Sequence, residues 1–223
     1  MPKTRIHNLI ILDESGSMMS IKTSIISAFN EVLGGIAKSQ KNDAELEHAV
    51  TFLTFEQDRF TFHSKNAPVD KLVMLTDATY QPGGSTPLYD AIALGIKEVQ
   101  KAIAKEKKAA IASLDTQVLV SILTDGEENA SHKYTGPQIK AMIETLELAG
   151  WTFTYMGTDH DVTAAAGRMG ITQSRSFDKS AAGVLHMVME DTNSRLQAYE
   201  QMKRREKPTD FFTPKVEEST HTT

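Results

Sequence analysis

The run Leu9-Ile10-Ile11-Leu12 breaks at Asp13 into a short polar turn, Glu14-Ser15-Gly16-Ser17, and apolar residues then recur with helical spacing from Ile21 to Ile36. A strand without polar alternation is buried on both faces, and in a globular chain that points to a parallel sheet covered by helices on either side. The same order returns along the sequence. Strands are expected at Arg5 to Leu12, His48 to Phe55, Gln117 to Thr124, Trp151 to Met156 and Ser174 to Phe177. Helices are expected at Ser20 to Ser39, Leu88 to Lys107, Pro137 to Leu148, Val162 to Met169 and Ala181 to Arg205. Pro137 near one helix start and Gly150 just past its end follow the usual asymmetry of helix termini.

Arg59 to His63 follows the turn Glu56-Gln57-Asp58 and reads as an antiparallel edge strand. Val69 to Leu75 reads as a helical turn, and Asp77 to Pro87 as a Gly/Pro/Thr-rich loop. Alternating strands and helices give the fold class: α/β, a Rossmann-like doubly wound, mostly parallel central sheet with one antiparallel edge strand and helices on both faces. Residues 1–206 are expected to form this domain and residues 207–223, polar and Pro-containing, a flexible tail. In the last helix, Val184, Leu185, Val188, Met189, Leu196 and Met202 carry the helical pattern. Met187, Met189 and Met202 are expected as core fillers.

The first turn also carries chemistry. Asp13, Ser15 and Ser17 stand at i, i+2 and i+4, so a looped backbone can aim one carboxylate and two hydroxyls at one point. Oxygen-only ligands suit a hard divalent cation. Two neutral hydroxyls beside few carboxylates leave such a cation with positive charge for an acidic group from outside. Taken singly, Asp13, Ser15 or Ser17 also fits the role of a helix cap, as does Thr86 before Pro87. Asp125-Gly126 alone is a common turn.

Three motifs together resemble one family. Asp13-x-Ser15-x-Ser17, the loop Gly83-Gly84-Ser85-Thr86-Pro87-Leu88-Tyr89-Asp90 and the strand-to-turn segment Val118 to Glu127 with Thr124-Asp125-Gly126 resemble, in order, the metal-ion-dependent adhesion site (MIDAS) motifs of the von Willebrand factor A (VWA) domain. The resemblance implies that Ser15, Ser17 and sometimes Thr86 bind Mg²⁺ (or Mn²⁺/Ca²⁺) directly, with Asp13 and Asp125 often acting through water. It implies that a Glu or Asp of a protein partner fills the open position, with loop shifts coupled to the last helix. It points to the stand-alone cytoplasmic bacterial or phage type, whose partners include AAA+ ATPases and stress or defence complexes. In an open α/β sheet, ligands bind outside the carboxyl ends of the strands at a topological switch point, so Asp13 and Asp125 meet only if their strands are neighbours.

Composition narrows the alternatives. The chain has 223 residues, 40% hydrophobic and 24% charged, with a formal net charge of −5. It lacks the basic excess of a nucleic-acid surface, so no nucleic-acid partner is expected. The absence of cysteine excludes disulfides, thiolate nucleophiles and Cys-based zinc sites. The N-terminal apolar run is too short for a signal peptide core or a membrane span, so a cytoplasmic location away from the membrane is expected.

An enzyme is not expected. A haloacid-dehalogenase-like phosphotransferase needs Asp-x-Asp where this chain has Asp13-x-Ser15, no phosphate loop is present, and no Ser-His-Asp set can be assigned. A Mg²⁺-dependent hydrolase or phosphotransferase, or a structural oligomerisation subunit, are the alternatives. Glu127, Glu128 and Asn129 flank the proposed centre as loop residues. Thr158-Asp159-His160-Asp161 should lie on the same rim, with Asp159 or Asp161 as a helix cap. The remaining histidines are scattered, and Asp210-Phe211-Phe212 is the one tail feature that resembles a docking peptide.

Overall fold

The computed structural model describes residues 3–108, 115–158 and 161–212. Six strands form one sheet in the order β3-β2-β1-β4-β5-β6. β1 (Thr4–Asp13) lies between β2 (Leu46–Glu56) and β4 (Asp115–Thr124), parallel to both. β5 (Thr152–Gly157) and β6 (Gln173–Ser176) continue the parallel array. β3 (Arg59–Pro68) is the one antiparallel strand and forms an edge. It runs five residues beyond the expected His63, because an edge strand needs partners on one side only and tolerates the polar stretch Ser64 to Asn66 and a closing Pro68. Two register shifts opposite Val50 to Leu53 absorb the irregularity.

The helices divide between the faces. α1 (Lys22–Asn42) and α5 (Ala181–Lys203) cover one side, where Ile10, Leu12, Val50 and Phe52 meet Ile25, Phe29, Leu33, Val184 and Val188. α2 (Leu88–Lys108), α3 (Gly136–Leu148) and α4 (Val162–Arg168) cover the other, over Leu9, Ile11, Val120, Ile122 and Phe153. Alternate residues of β1 therefore feed different cores, as a two-faced strand requires. A short 3-10 turn (Gly16–Ile21) precedes α1, and another (Val69–Lys71) follows β3. No helix among the described residues is long and apolar enough to cross a membrane.

α5 corrects one expectation. Met187 and Met202 are buried, but Leu185, Met189 and Leu196 are 55%, 56% and 45% exposed. The inward stripe instead runs Val184, Val188, Asp191, Arg195, Ala198, Tyr199, Met202. Two charged residues thus hold core positions that hydrophobicity would have assigned to their neighbours. Arg195 Nε donates to Asp191 Oδ2 at 2.5 Å and its Nη2 to Ser121 Oγ at 2.7 Å. Beside them Tyr199 donates to Asn8 Oδ1 at 2.5 Å, and Asn8 Nδ2 lies 3.2 Å from His48 Nδ1. The Asn8 amide donates, so His48 Nδ1 accepts and the ring is neutral. Burial, reinforced by the Arg195 and Arg5 charges, holds its pKa down at about 4.

Beyond α5 the chain folds back. Phe211 is buried against Ile6, Leu46, Leu119 and Tyr199, and its N–H donates to Gln173 Oε1 at 2.9 Å. The expected tail boundary at Lys207 precedes this contact, and residues 213–223 lie outside those described.

Candidate metal centre

β1 and β4 are neighbours, paired through Leu12 and Leu123, so Asp13 and Asp125 leave the same sheet edge side by side. The chain passes from β1 to β2 on one side and then to β4 on the other, which makes this edge the switch point of the sheet. The Thr86 loop arrives from β3 and is tied to both. Gly16 N–H donates to Gly84 O at 3.2 Å, Gly83 N–H to Glu14 O at 2.9 Å, and Gln57 N–H to Ser85 O at 2.9 Å. Gly84 has φ +63, and a Cβ there would collide with the side chains of Glu56 and Gln57. That position needs glycine, whereas Gly83 faces open space.

On the other flank, Thr86 N–H donates to Asn129 Oδ1 at 2.8 Å and Asn129 N–H donates back to Thr86 O at 3.1 Å. The first turn of α2 is capped from the same β4–α3 loop. Tyr89 N–H donates to Glu128 Oε2 at 2.9 Å and Asp90 N–H to Ser131 Oγ at 3.1 Å. Asp90 in turn accepts from the N–H groups of His132, Lys133 and Tyr134. Glu128 and Asn129 are therefore structural members of the rim, the first as a remote helix cap.

Asp13 is fully buried. Its Oδ1 accepts Ser15 N–H at 2.7 Å and its Oδ2 accepts Thr124 Oγ1 at 2.6 Å. Burial pushes its pKa up to about 6; the Thr124 and Ser15 hydrogen bonds oppose the rise and the Asp125 charge adds to it. Tyr80, also buried, donates its hydroxyl to Asp13 O at 2.7 Å. Burial and then the nearby Asp13 charge hold that phenol well above its usual pKa.

Ser15 occupies the cap position of the 3-10 turn, yet its side chain makes no capping bond. Its Oγ lies 3.1 Å from Ser17 Oγ, and Ser17 Oγ donates to Asp125 Oδ1 at 2.5 Å. A methyl group added at Gly126 would sit 3.6 Å from Thr86 Oγ1 and 4.0 Å from Ser17 Oγ, so both hydroxyls flank one small space. Ser15, Ser17, Thr86, Asp13 and Asp125 thus gather from three loops.

The donor set fits a hard cation. It contains only oxygens, and Asp125 Oδ2 is buried without a hydrogen bond. No group of three or more His, Cys, Asp or Glu that could hold a metal ion occurs among the described residues. Lys179 Nζ approaches Asp125 Oδ2 to 2.8 Å; the contact is electrostatic, lacking the alignment of a hydrogen bond. Lys179 was not legible as a site residue. Only its place, in the turn after a strand that ends on this rim, could have pointed to it.

Beside this cluster a cleft between α2 and α4 is lined by Tyr89, Glu127, Glu128 and Arg168. Glu127 pairs with Arg168 at 2.9 Å on the open surface. Asp161 caps α4 through Ala164 N–H at 2.9 Å, as expected for one of the rim aspartates. Asp159 and His160 lie outside the described residues.

Solved structures share this fold at low identity. A von Willebrand factor type A structure from Catenulispora acidiphila aligns with a TM-score of 0.56 and 13% identity, over 86% of this chain and 43% of its own. The pilus adhesin SpaC from Lactobacillus rhamnosus GG, in an open conformation, gives 0.58 and 11%, over 88% of this chain and 30% of its own. Proximal thread matrix protein 1 of the mussel byssus gives 0.52 and 12%, over 86% and 46%. The chain spans less than half the length of each. The fold is VWA-like. No family model matches the chain, and no curated protein matches it in sequence.

Proposed function

We propose that this chain is a non-enzymatic, metal-dependent protein-interaction module in which Asp13, Ser15, Ser17, Thr86 and Asp125 form a MIDAS for Mg²⁺, with Mn²⁺ or Ca²⁺ as substitutes. The observation that carries the reading is the convergence of three hydroxyls and two carboxylates, from three separate loops, at the β1/β4 switch point. A cation bound there supplies an open coordination position for a carboxylate of a partner protein. The chain's own residues supply the rest. Thr124 and Ser15 N–H fix the Asp13 carboxylate, Asn129 fixes Thr86, and Ser17 orients Asp125. The setting we propose, on the sequence resemblance, is the cytoplasm, with an AAA+ ATPase or a stress or defence complex supplying the acidic residue.

Thermal unfolding in Mg²⁺, Mn²⁺, Ca²⁺ or EDTA tests the centre. A cation at ten times its Kd adds about 1.4 kcal/mol by mass action. For a chain of this size that is a rise of about 3–6 °C. The wild type gains it and a Ser15→Ala/Ser17→Ala double variant does not. No rise in the wild type, or an equal rise in both, refutes the centre. A partner captured in Mg²⁺ and retained unchanged in EDTA refutes the metal bridge.

A further inference from the structure

The segment from Tyr80 to Ser85 carries Thr86 to the metal centre, and it is laced to the first motif bond by bond. Tyr80 donates its hydroxyl to Asp13 O at 2.7 Å. Gln81 N–H donates to Glu14 Oε1. Gly83 N–H donates to Glu14 O at 2.9 Å, and Gly84 O accepts Gly16 N–H at 3.2 Å. Residues 13, 14 and 16 thus meet residues 80, 81, 83 and 84 in order. Gln81 and Gly84 are exposed, so at these two residues hydrogen bonds rather than core packing set the path of the chain.

Glu14 is at the middle of this lacing. It fills the first open position of Asp13-x-Ser15-x-Ser17, where the motif asks for no particular side chain, yet it is 2% exposed. A carboxylate so buried needs hydrogen bonds and a counter-charge. Gln81 N–H supplies the one, and Arg59 Nη2, 3.3 Å from Oε1, the other. Arg59 also donates to Gln81 O at 3.2 Å and pairs with Glu56 at 3.2 Å. Gln81 is therefore gripped at its N–H by Glu14 and at its C=O by Arg59. The Glu14 N–H donates to Phe55 O at 2.8 Å, which ties the gripping residue to the end of β2.

We propose that Glu14 is a positioning residue of the metal centre: its carboxylate, backed by Arg59, holds the Thr86 loop against the Ser15–Ser17 turn and so keeps the Thr86 hydroxyl within reach of a cation. This rests on the MIDAS reading above. Asp13, Ser15 and Ser17 leave one strand end together, and Asp125 follows the neighbouring strand, so the sheet sets their spacing. Thr86 arrives on a loop that the sheet does not register. Its distance from the others depends on the bonds at residues 80–84 and on Asn129. Replacing a residue that orients a metal ligand typically costs roughly 10- to 100-fold in affinity.

The test is Mn²⁺ affinity by calorimetry, with amide hydrogen exchange in EDTA read by mass spectrometry, on the wild type, Glu14→Met, Glu14→Gln and Arg59→Met. Methionine keeps the length of the side chain and loses the acceptor; glutamine keeps an acceptor for Gln81 N–H. Glu14→Met binds Mn²⁺ weaker by about tenfold or more, and Glu14→Gln restores most of that loss. Exchange in Glu14→Met speeds up at residues 80–86 and is unchanged in the helices and central strands. Arg59 is half-exposed, so Arg59→Met remains folded and decides the matter should Glu14→Met unfold; it weakens Mn²⁺ binding and speeds exchange at the same residues. Unchanged affinity in the folded Met variants overturns the inference. So does equal weakening by Glu14→Gln and Glu14→Met, which assigns the effect to charge, or exchange that rises across the whole domain, which assigns it to general stability. Each of these leaves the metal centre standing. Absence of Mn²⁺ binding in the wild type refutes the centre itself, and the inference falls with it.

Discussion

Asp13→Asn makes the metal-free protein more stable while removing its response to metal. The wild-type carboxyl is fully buried and titrates at about 6 instead of the usual 3.8. Once ionised it costs the fold about 3 kcal/mol relative to the unfolded chain. Asparagine has the same shape and no charge. Its Oδ1 still accepts Ser15 N–H, and its Nδ2 donates to Thr124 Oγ1, whose own proton turns to Gly126 O at 2.9 Å. Both hydrogen bonds that hold the Asp13 side chain in the wild type are therefore kept.

The expected gain at pH 7.5 in EDTA is about 3 kcal/mol in urea unfolding, or a rise in Tm of about 6–12 °C. The pH dependence gives the sign. With its folded pKa raised, Asp13 contributes stability that is present below 3.8 and lost as pH rises through about 6, so the gap between variant and wild type opens over that window. Adding Mg²⁺ stabilises the wild type and leaves Asp13→Asn unchanged. A variant less stable than the wild type at pH 7.5, or a gap that does not shrink toward pH 4, refutes the argument.

His48 gives the opposite sign over an overlapping window. Its folded pKa is depressed from 6.5 to about 4, so the wild type loses up to about 3 kcal/mol relative to His48→Gln as pH falls from 6.5 toward 4, measured by urea unfolding; parallel pH profiles would refute the buried neutral ring. Gly84→Ala forces a left-handed backbone on a residue with a Cβ and drives that Cβ into Glu56 and Gln57. It costs about 1–2 kcal/mol for the backbone alone and more for the collision, and it weakens Mn²⁺ binding by displacing Thr86; an unchanged urea midpoint would show that the loop relaxes freely.

The parts of the molecule legible in the sequence are those where one residue type implies one environment. The unbroken runs of β1 and β4 can only be two-faced strands, and the oxygens that follow them can only emerge at their carboxyl ends. The parts that were not legible depend on partners distant in the chain. The apolar pattern of α5 gives no place inside to Asp191 and Arg195, which Ser121 and each other satisfy, while Leu185 and Met189 face outward. Phe211 reads as part of a polar tail until Ile6 and Leu119 are seen to leave a place for its ring. Lys179 has no local signal at all, because what marks it is the Asp125 oxygen of another loop.

The two ends of the sheet set the manner in which another protein can join this one. β3 carries a doubled register irregularity, a left-handed Asn66 at φ +48 and a terminal Pro68, so its outer edge is bent and short of regular donors. β6 has only four residues, Gln173–Ser176, all polar. Neither offers the long flat row of amides and carbonyls on which a foreign strand could zip. Sheet extension is disfavoured at both ends, and with it aggregation by edge-to-edge strand pairing. A partner of the kind proposed would meet this molecule through side chains rather than by adding a strand.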